Sequence, residues 1–301
     1  MKNEKIGVEE IYLAPETNEA EGTQLSDEAT GDEIEAMQTP ELEPEGPVKS
    51  VRVTEILDLR DANRKVFSMS DGSEQAVFFS EAVHVANEDA KTFDDVDNTL
   101  VEDEDGRHFV GGKNHFKARF SREEDNDELF SIESGMHRVT VSAKKNKKQK
   151  NTGVKPQVRK KDTEGFEKTD LLIFENVEQG ADYEYSVTGN GVKENIVVKE
   201  KADVYRFPFV LRQENVTARF DERNQRIAFM SNETGEEVFF IPSPFMTDAN
   251  GGISTAVSYE LKNTANGDSV LTVTADSDWM NAGERSFPVI IDPQIKLSGS
   301  S

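Results

Sequence analysis

The sequence predicts an all-β fold of β-sandwich-like antiparallel sheets with a disordered acidic N-terminal tail. Three observations point there. From Val51 onward, short β-branched and aromatic runs are separated by turn dipeptides, several runs alternate apolar and polar residues, and no segment sustains a helical period. Residues 1–50 have another texture, with 14 Asp and Glu against 3 Lys, four prolines and one aromatic residue. Like charge at that density with so little apolar surface cannot offset the entropy of ordering, so this segment reads as a solvated tail.

The elements follow in order. Lys65–Ser68 and Glu74–Ser80 flank Asp71-Gly72 as a first hairpin, and Ala82–Val85, Arg107–Val110, His115–Ser121, Leu129–Glu133 and His137–Ser142 read as further strands. In His115–Ser121, Phe116, Ala118 and Phe120 should share one face of a sheet while Lys117 and Arg119 face water. A second β-rich stretch begins near Asp170. Its clearest hairpin joins Tyr183–Thr188 to Lys193–Lys199 through Gly189-Asn190-Gly191, where Asn-Gly is expected to supply the positive φ angles of a tight primed turn. Val204–Leu211, Val216–Phe220, Arg226–Met230, Val238–Ile241, Ala256–Leu261, Ser269–Ala275 and Val289–Ile291 bring the set to roughly fifteen strands. Helical turns are expected only near Ile56–Ala62 and Asp276–Asn281. The chain therefore divides into an acidic tail (1–50), a first β-rich region (51–143), a basic linker loop (144–163), a second β-rich region (164–295) and a flexible C-terminus (296–301).

Composition narrows the chemistry. The 301 residues hold 35 Lys and Arg against 59 Asp and Glu, a formal charge of −24, and no cysteine. Disulfides, thiolate metal sites and cysteine catalysis are excluded, and wholesale binding to nucleic acid or to an anionic membrane is disfavoured. Apolar runs such as Leu171–Phe174 and Val238–Ile241 are far too short to span a bilayer. Acids at Glu9 and Glu10 interrupt the apolar stretch that a signal peptide after Lys2 and Lys5 would need, so no export signal is expected.

One segment reverses the charge. Lys144, Lys145, Lys147, Lys148, Lys150, Lys155, Arg159, Lys160 and Lys161 lie within a stretch free of acids, and they are the candidate polyanion-binding residues. No aromatic residue lies between Arg138 and Glu164, so bases would find no stacking platform, and binding should rest on charge alone. The acidic groups Asp94–Asn98, Glu102–Gly106 and Glu123–Glu128 lack the ligand order of an EF-hand and read as turn linkers. His84, His108, His115 and His137 show no zinc-protease spacing, and no nucleophile elbow or phosphate-binding glycine loop occurs. Asn215 and Asn232 stand in Asn-x-Thr sequons and read as turn residues; Trp279 reads as a core plug. No catalytic residue, metal ligand or cofactor is expected.

Five phrases form a recognisable set: Ser80–Val85, Val96–Leu100, Asp182–Ile196, Ile241–Ala249, and Leu271–Val273 through Asp278-Trp279 to Phe287–Pro293. In this order, over about residues 60–295, they resemble the N-terminal β-rich module of Gram-positive RHS/YD-repeat wall-associated, polymorphic-toxin-like proteins and of DNRLRE-domain surface proteins. The resemblance implies an extracellular or wall-associated location and a role as a non-enzymatic scaffold or presentation module. Its implied partners are downstream RHS/YD-repeat or DNRLRE domains of a longer chain. The alternative is a binding module for cell-wall polymer or surface glycan, in which the basic run would contact an anionic cell-wall polymer such as teichoic acid. Nucleic acid is not an expected partner.

Overall fold

The computed structural model describes residues 50–87, 91–122, 128–144, 154–160, 167–178 and 180–299, with the backbone alone at 154–160 and 167–170. The tail expected over residues 1–50 lies outside the described residues except for Ser50.

β1 (Arg52–Glu55), β2 (Arg64–Met69) and β3 (Glu74–Phe78) form a small antiparallel sheet, with a 3-10 turn at Leu57–Leu59, and β4 (His84–Ala86) pairs with β5 (Phe93–Asp95). A meander follows: β6 (Leu100–Glu102), β7 (His108–Gly111), β8 (Lys117–Ser121), β9 (Glu128–Ser134) and β10 (His137–Ala143). The chain then builds a second sheet with β11 (Val154–Lys160), β12 (Glu167–Glu178), β13 (Ala181–Thr188) and β14 (Gly191–Val198). β15 (Tyr205–Glu214) returns to pair with β10. Asn215, at φ 59°, then turns the chain out of that sheet, a left-handed position that Asn tolerates. β16 (Val216–Asp221), β17 (Arg226–Ser231), β18 (Glu237–Ile241), β19 (Met246–Asp248) and β20 (Ile253–Ser254) join the second sheet, and β21 (Val257–Asn263) and β22 (Ser269–Ala275) join the first. The short helix α1 (Ser277–Asn281) is capped by Asp276, whose carboxylate accepts the Trp279 N–H, before β23 (Val289–Ile291) and β24 (Gln294–Leu297) enter the second sheet.

The result is an eight-stranded sheet ordered β21-β22-β15-β10-β9-β8-β7-β6 against an eleven-stranded sheet whose main path runs β11-β12-β13-β14-β24-β18-β17-β16. Period-2 alternation makes this packing possible. Along β13, Ala181, Tyr183, Tyr185 and Val187 are buried while the residues between them are half-exposed. Tyr185 meets Phe120 and Phe130 of the other sheet, and Tyr183 meets Phe207 and Phe209, at ring separations of 5.0–6.4 Å. Each such fully buried ring contributes about 1.5–3 kcal/mol over its exposed state. The predicted face of β8 is also observed: Phe116, Ala118 and Phe120 are buried and Lys117 is exposed.

Several expectations are corrected. The two β-rich regions are not separate sandwiches, because β10 from one pairs with β15 from the other along six residues. The second region lends β15, β21 and β22 to the sheet that β6–β10 begin, and its remaining strands form the other sheet. Residues 154–160 of the expected linker loop form β11, hydrogen-bonded to β12; an edge position tolerates a basic strand because only one side of it must pair. Residues 296 and 297 of the expected flexible C-terminus belong to β24, inserted between β14 and β18, where Ile295 and Leu297 are buried. At Gly189-Asn190-Gly191 the hairpin forms, yet none of the three has a positive φ. The glycines are needed there for close approach: a Cβ on Gly189 would strike the Ala82 backbone, and one on Gly191 would strike that of Ile295.

Candidate functional site

The basic run is only partly visible. Lys144 is exposed at the end of β10, with its backbone N–H donating to the Pro208 carbonyl at 3.1 Å. Lys155, Arg159 and Lys160 lie on β11, the outermost strand of the eleven-stranded sheet. Lys145, Lys147, Lys148, Lys150 and Lys161 lie outside the described residues. The structure thus places three of the nine candidates on one sheet edge, where Lys and Arg also oppose edge-to-edge aggregation.

The acidic groups that invited a cation are neutralised by the chain's own bases. Arg119 bridges Asp103 and Asp105, and His108 Nδ1 lies 2.7 Å from Asp105 Oδ2. These three residues could offer ligands within 4.8 Å of one another, but the Arg119 guanidinium occupies the position of positive charge. Backbone donation from Arg107, with His108 and Arg119 adding to it, holds the Asp105 carboxyl down at about 2. Asp94 pairs with Lys113, and Asp95 with Lys65 and Arg60. Residues 123–127 lie outside the described set.

The histidines occupy structural positions. His84 is buried between the two small N-terminal sheets, its Nδ1 2.7 Å from the Asp61 carbonyl. A carbonyl only accepts, so Nδ1 carries the hydrogen. His137 Nε2 lies 3.1 Å from Ser231 Oγ, and burial lowers the His115 pKa.

Asp248 anchors a polar clamp that the sequence did not reveal. Its Oδ1 accepts the Gly252 N–H at 2.7 Å and the Asn250 N–H at 3.1 Å, and its Oδ2 takes Arg285 Nη1 at 2.7 Å. The Arg285 guanidinium also lies 3.5 Å from the Trp279 ring centroid and donates through Nε to the Trp279 carbonyl at 3.1 Å. The pair is almost completely buried, with side chains 8% and 3% exposed. One arginine thus ties the β19–β20 turn to α1, and Trp279 is half a core residue and half a stacking surface. Backbone donation from Gly252, reinforced by Arg285, lowers the Asp248 pKa, so its contribution to stability is present above the ordinary carboxylate pKa and is lost as pH falls through the folded value. Arg285→Ala should lower the thermal unfolding midpoint by roughly 10 °C. A melt indistinguishable from that of the parent would show the clamp to be energetically idle.

Glu194, a buried carboxyl on the inner face of β14, accepts the Tyr185 hydroxyl. Among the described residues, these networks bring together no nucleophile, base and oxyanion donor.

Comparison with known proteins supplies the context. No known protein-family profile matches the chain. It is 27% identical over 299 residues to a protein named tRNA nuclease WapA from Bacillus subtilis (strain 168), an alignment covering 96% of this chain and 12% of that protein. The tRNA3(Ser)-specific nuclease WapA of Bacillus spizizenii is also 27% identical, over 300 residues with the same coverage. A wall-associated protein of Geobacillus stearothermophilus is 23% identical over 225 residues, 73% of this chain and 84% of that protein. The chain is thus similar to wall-associated proteins of Bacillus and Geobacillus, and it spans 12% of the length of the first relatives it matches. The comparisons correct the expectation that no enzymatic activity is involved, since relatives aligned along nearly the whole chain are named as nucleases. The described helices include none long and apolar enough to cross a membrane.

Proposed function

We propose that this chain is the β-sandwich presentation module of a larger, wall-associated bacterial protein of the RHS-like type, one that also bears a tRNA-cleaving activity. The single observation behind this reading is the alignment itself, which covers 96% of this chain but 12% of proteins named as WapA nucleases. The sandwich suits the role, because a core sealed between two large sheets gives a rigid body from which RHS/YD-repeat or DNRLRE domains could extend. The location is proposed to be the cell wall or the extracellular space. Fractionating cells that express the full-length protein tests the reading: deletion of residues 51–299 should release it from the wall fraction, and unchanged wall retention would sink the proposal.

A second reading, that the module itself binds anionic wall polymer, is favoured by the placement of Lys155, Arg159 and Lys160 on one edge strand of the eleven-stranded sheet. At roughly 1 kcal/mol per basic residue near a polyanionic surface, the triple change Lys155→Gln, Arg159→Gln, Lys160→Gln should weaken retention on purified walls at least about tenfold at low salt. Retention that is insensitive to both salt and the triple change would overturn it.

A further inference from the structure

The eleven-stranded sheet is interrupted beside a buried carboxyl group, that of Glu194. β14 pairs with β23 at Ile196–Val198 and with β24 at Gly191–Lys193, which leaves Glu194 and Asn195 facing the Asp292-Pro293 junction outside the paired registers. The Glu194 N–H spans the gap to the Pro293 carbonyl at 3.2 Å. Its side chain points the other way, into the sandwich, where it accepts the Tyr185 hydroxyl. It also lines a cavity of about 20 Å³ with Phe130, Phe209, Pro293 and Gln294. That is room for one water and no more.

The elements packed around Glu194 present it with tyrosine hydroxyls, the Gln294 amide, an acid and apolar surface. β13 offers Tyr183 and Tyr185, both fully buried, and Glu178 of β12 adds a further acid to the field at Tyr183. β21 offers Tyr259, whose buried hydroxyl has no hydrogen-bond partner. The β23–β24 junction offers Asp292, one oxygen of which is buried without a partner while the other lies 3.4 Å from Lys193 Nζ. Lys193 and Lys296 oppose the burial that raises the Asp292 pKa. Among the described residues, no cation pairs with Glu194 itself. Burial pushes its carboxyl up to about 8; the Tyr185 bond opposes that shift and Asp292 adds to it.

We propose that Glu194 is a proton-operated clasp on the C-terminal strands: when it carries its proton, β23 and β24 close over it, and when it ionises they open to admit water. Geometry selects these strands over their neighbours. β13 pairs with β14 along seven residues, whereas β23 and β24 each hold it by three, on either side of the break. An acid whose folded pKa lies above its unfolded one stabilises the closed form below the unfolded value and loses that contribution as pH rises toward the folded value. The window therefore runs from the ordinary carboxylate range up to about pH 8.

Amide hydrogen exchange on the full chain, corrected for the intrinsic pH dependence of exchange, tests the clasp. The opening constant of peptides covering 289–297 should rise on the order of 10²–10³-fold between about pH 5 and pH 8, while the β9–β10 hairpin changes little. Glu194→Gln keeps an acceptor for Tyr185 and should abolish the rise. An equal rise in that variant, or an equal rise in every strand of the parent, overturns the proposal. A carbon-13 titration of the Glu194 carboxyl in the unmodified chain depends on no variant: titration in the ordinary carboxylate range also overturns it.

Discussion

Gly191→Ala is expected to cost more than about 3 kcal/mol, beyond the usual penalty for adding one methyl group to a packed site. Gly191 faces Lys296 in the β14–β24 register, and a Cβ there would fall inside contact distance of the Ile295 carbonyl oxygen and 2.9 Å from the Lys296 Cα. Backbone cannot swing away as a flexible side chain can. β24 is also held on its far side by β18, through Phe239 and Phe240, so relief requires the strand to leave the sheet. Gly283 supplies the control, since it has open space around it and no left-handed φ, and its alanine variant should stay within about 0.5 kcal/mol of the parent. Urea unfolding of the two variants reads the difference. Equal midpoints would refute the close-approach account of this turn.

Phe120→Ala should cost about 3–5 kcal/mol in equilibrium unfolding, because the ring is completely buried and touches both layers of the sandwich. Its centroid lies 5.9 Å from Phe130 in its own sheet and 6.1 Å from Tyr185 in the other. Removing it opens a cavity that the two sheets cannot close without shearing past each other. Phe78, an edge residue of β3, is 74% exposed, and the same substitution there should change stability by no more than about 0.5 kcal/mol. Similar losses at both positions would mean that the small N-terminal sheet is covered in solution.

Much of the architecture was legible because strand signals are local. Alternation in His115–Ser121 marked the inward face of Phe116, Ala118 and Phe120, and Asp71-Gly72 and Asn266-Gly267 lie in turns where the glycines are left-handed, at φ 84° and 91°. The elements that escaped notice include the short β6 and β19, of three residues each, the basic β11, and β12, whose twelve residues begin and end in charge. Such segments become strands because a neighbour supplies the hydrogen bonds, which nothing in their own residues announces.

The candidate sites divide in the same way. The basic run was visible as composition, whereas the pairing of Asp103 and Asp105 with Arg119, of Asp94 with Lys113 and of Asp95 with Lys65 was not. The Asp248–Arg285–Trp279 clamp joins residues up to 37 positions apart, and the surroundings of Glu194 draw on β12, β13, β21 and the Asp292-Pro293 junction. Neither arrangement has a local signature.

By itself the sequence determined the all-β class, the inward face of the strand around Phe116–Phe120, the positions of several tight turns and the segregation of charge. These follow from residue type and from a two-residue period, both readable within a few positions. Only the tertiary structure decided that the two β-rich stretches share the eight-stranded sheet, that residues 294–297 form a central strand, and that Glu194 is buried beside a break in the ladder. Those outcomes depend on which distant strand covers which apolar face, and strand partners are chosen by the burial of the whole core rather than by any segment alone.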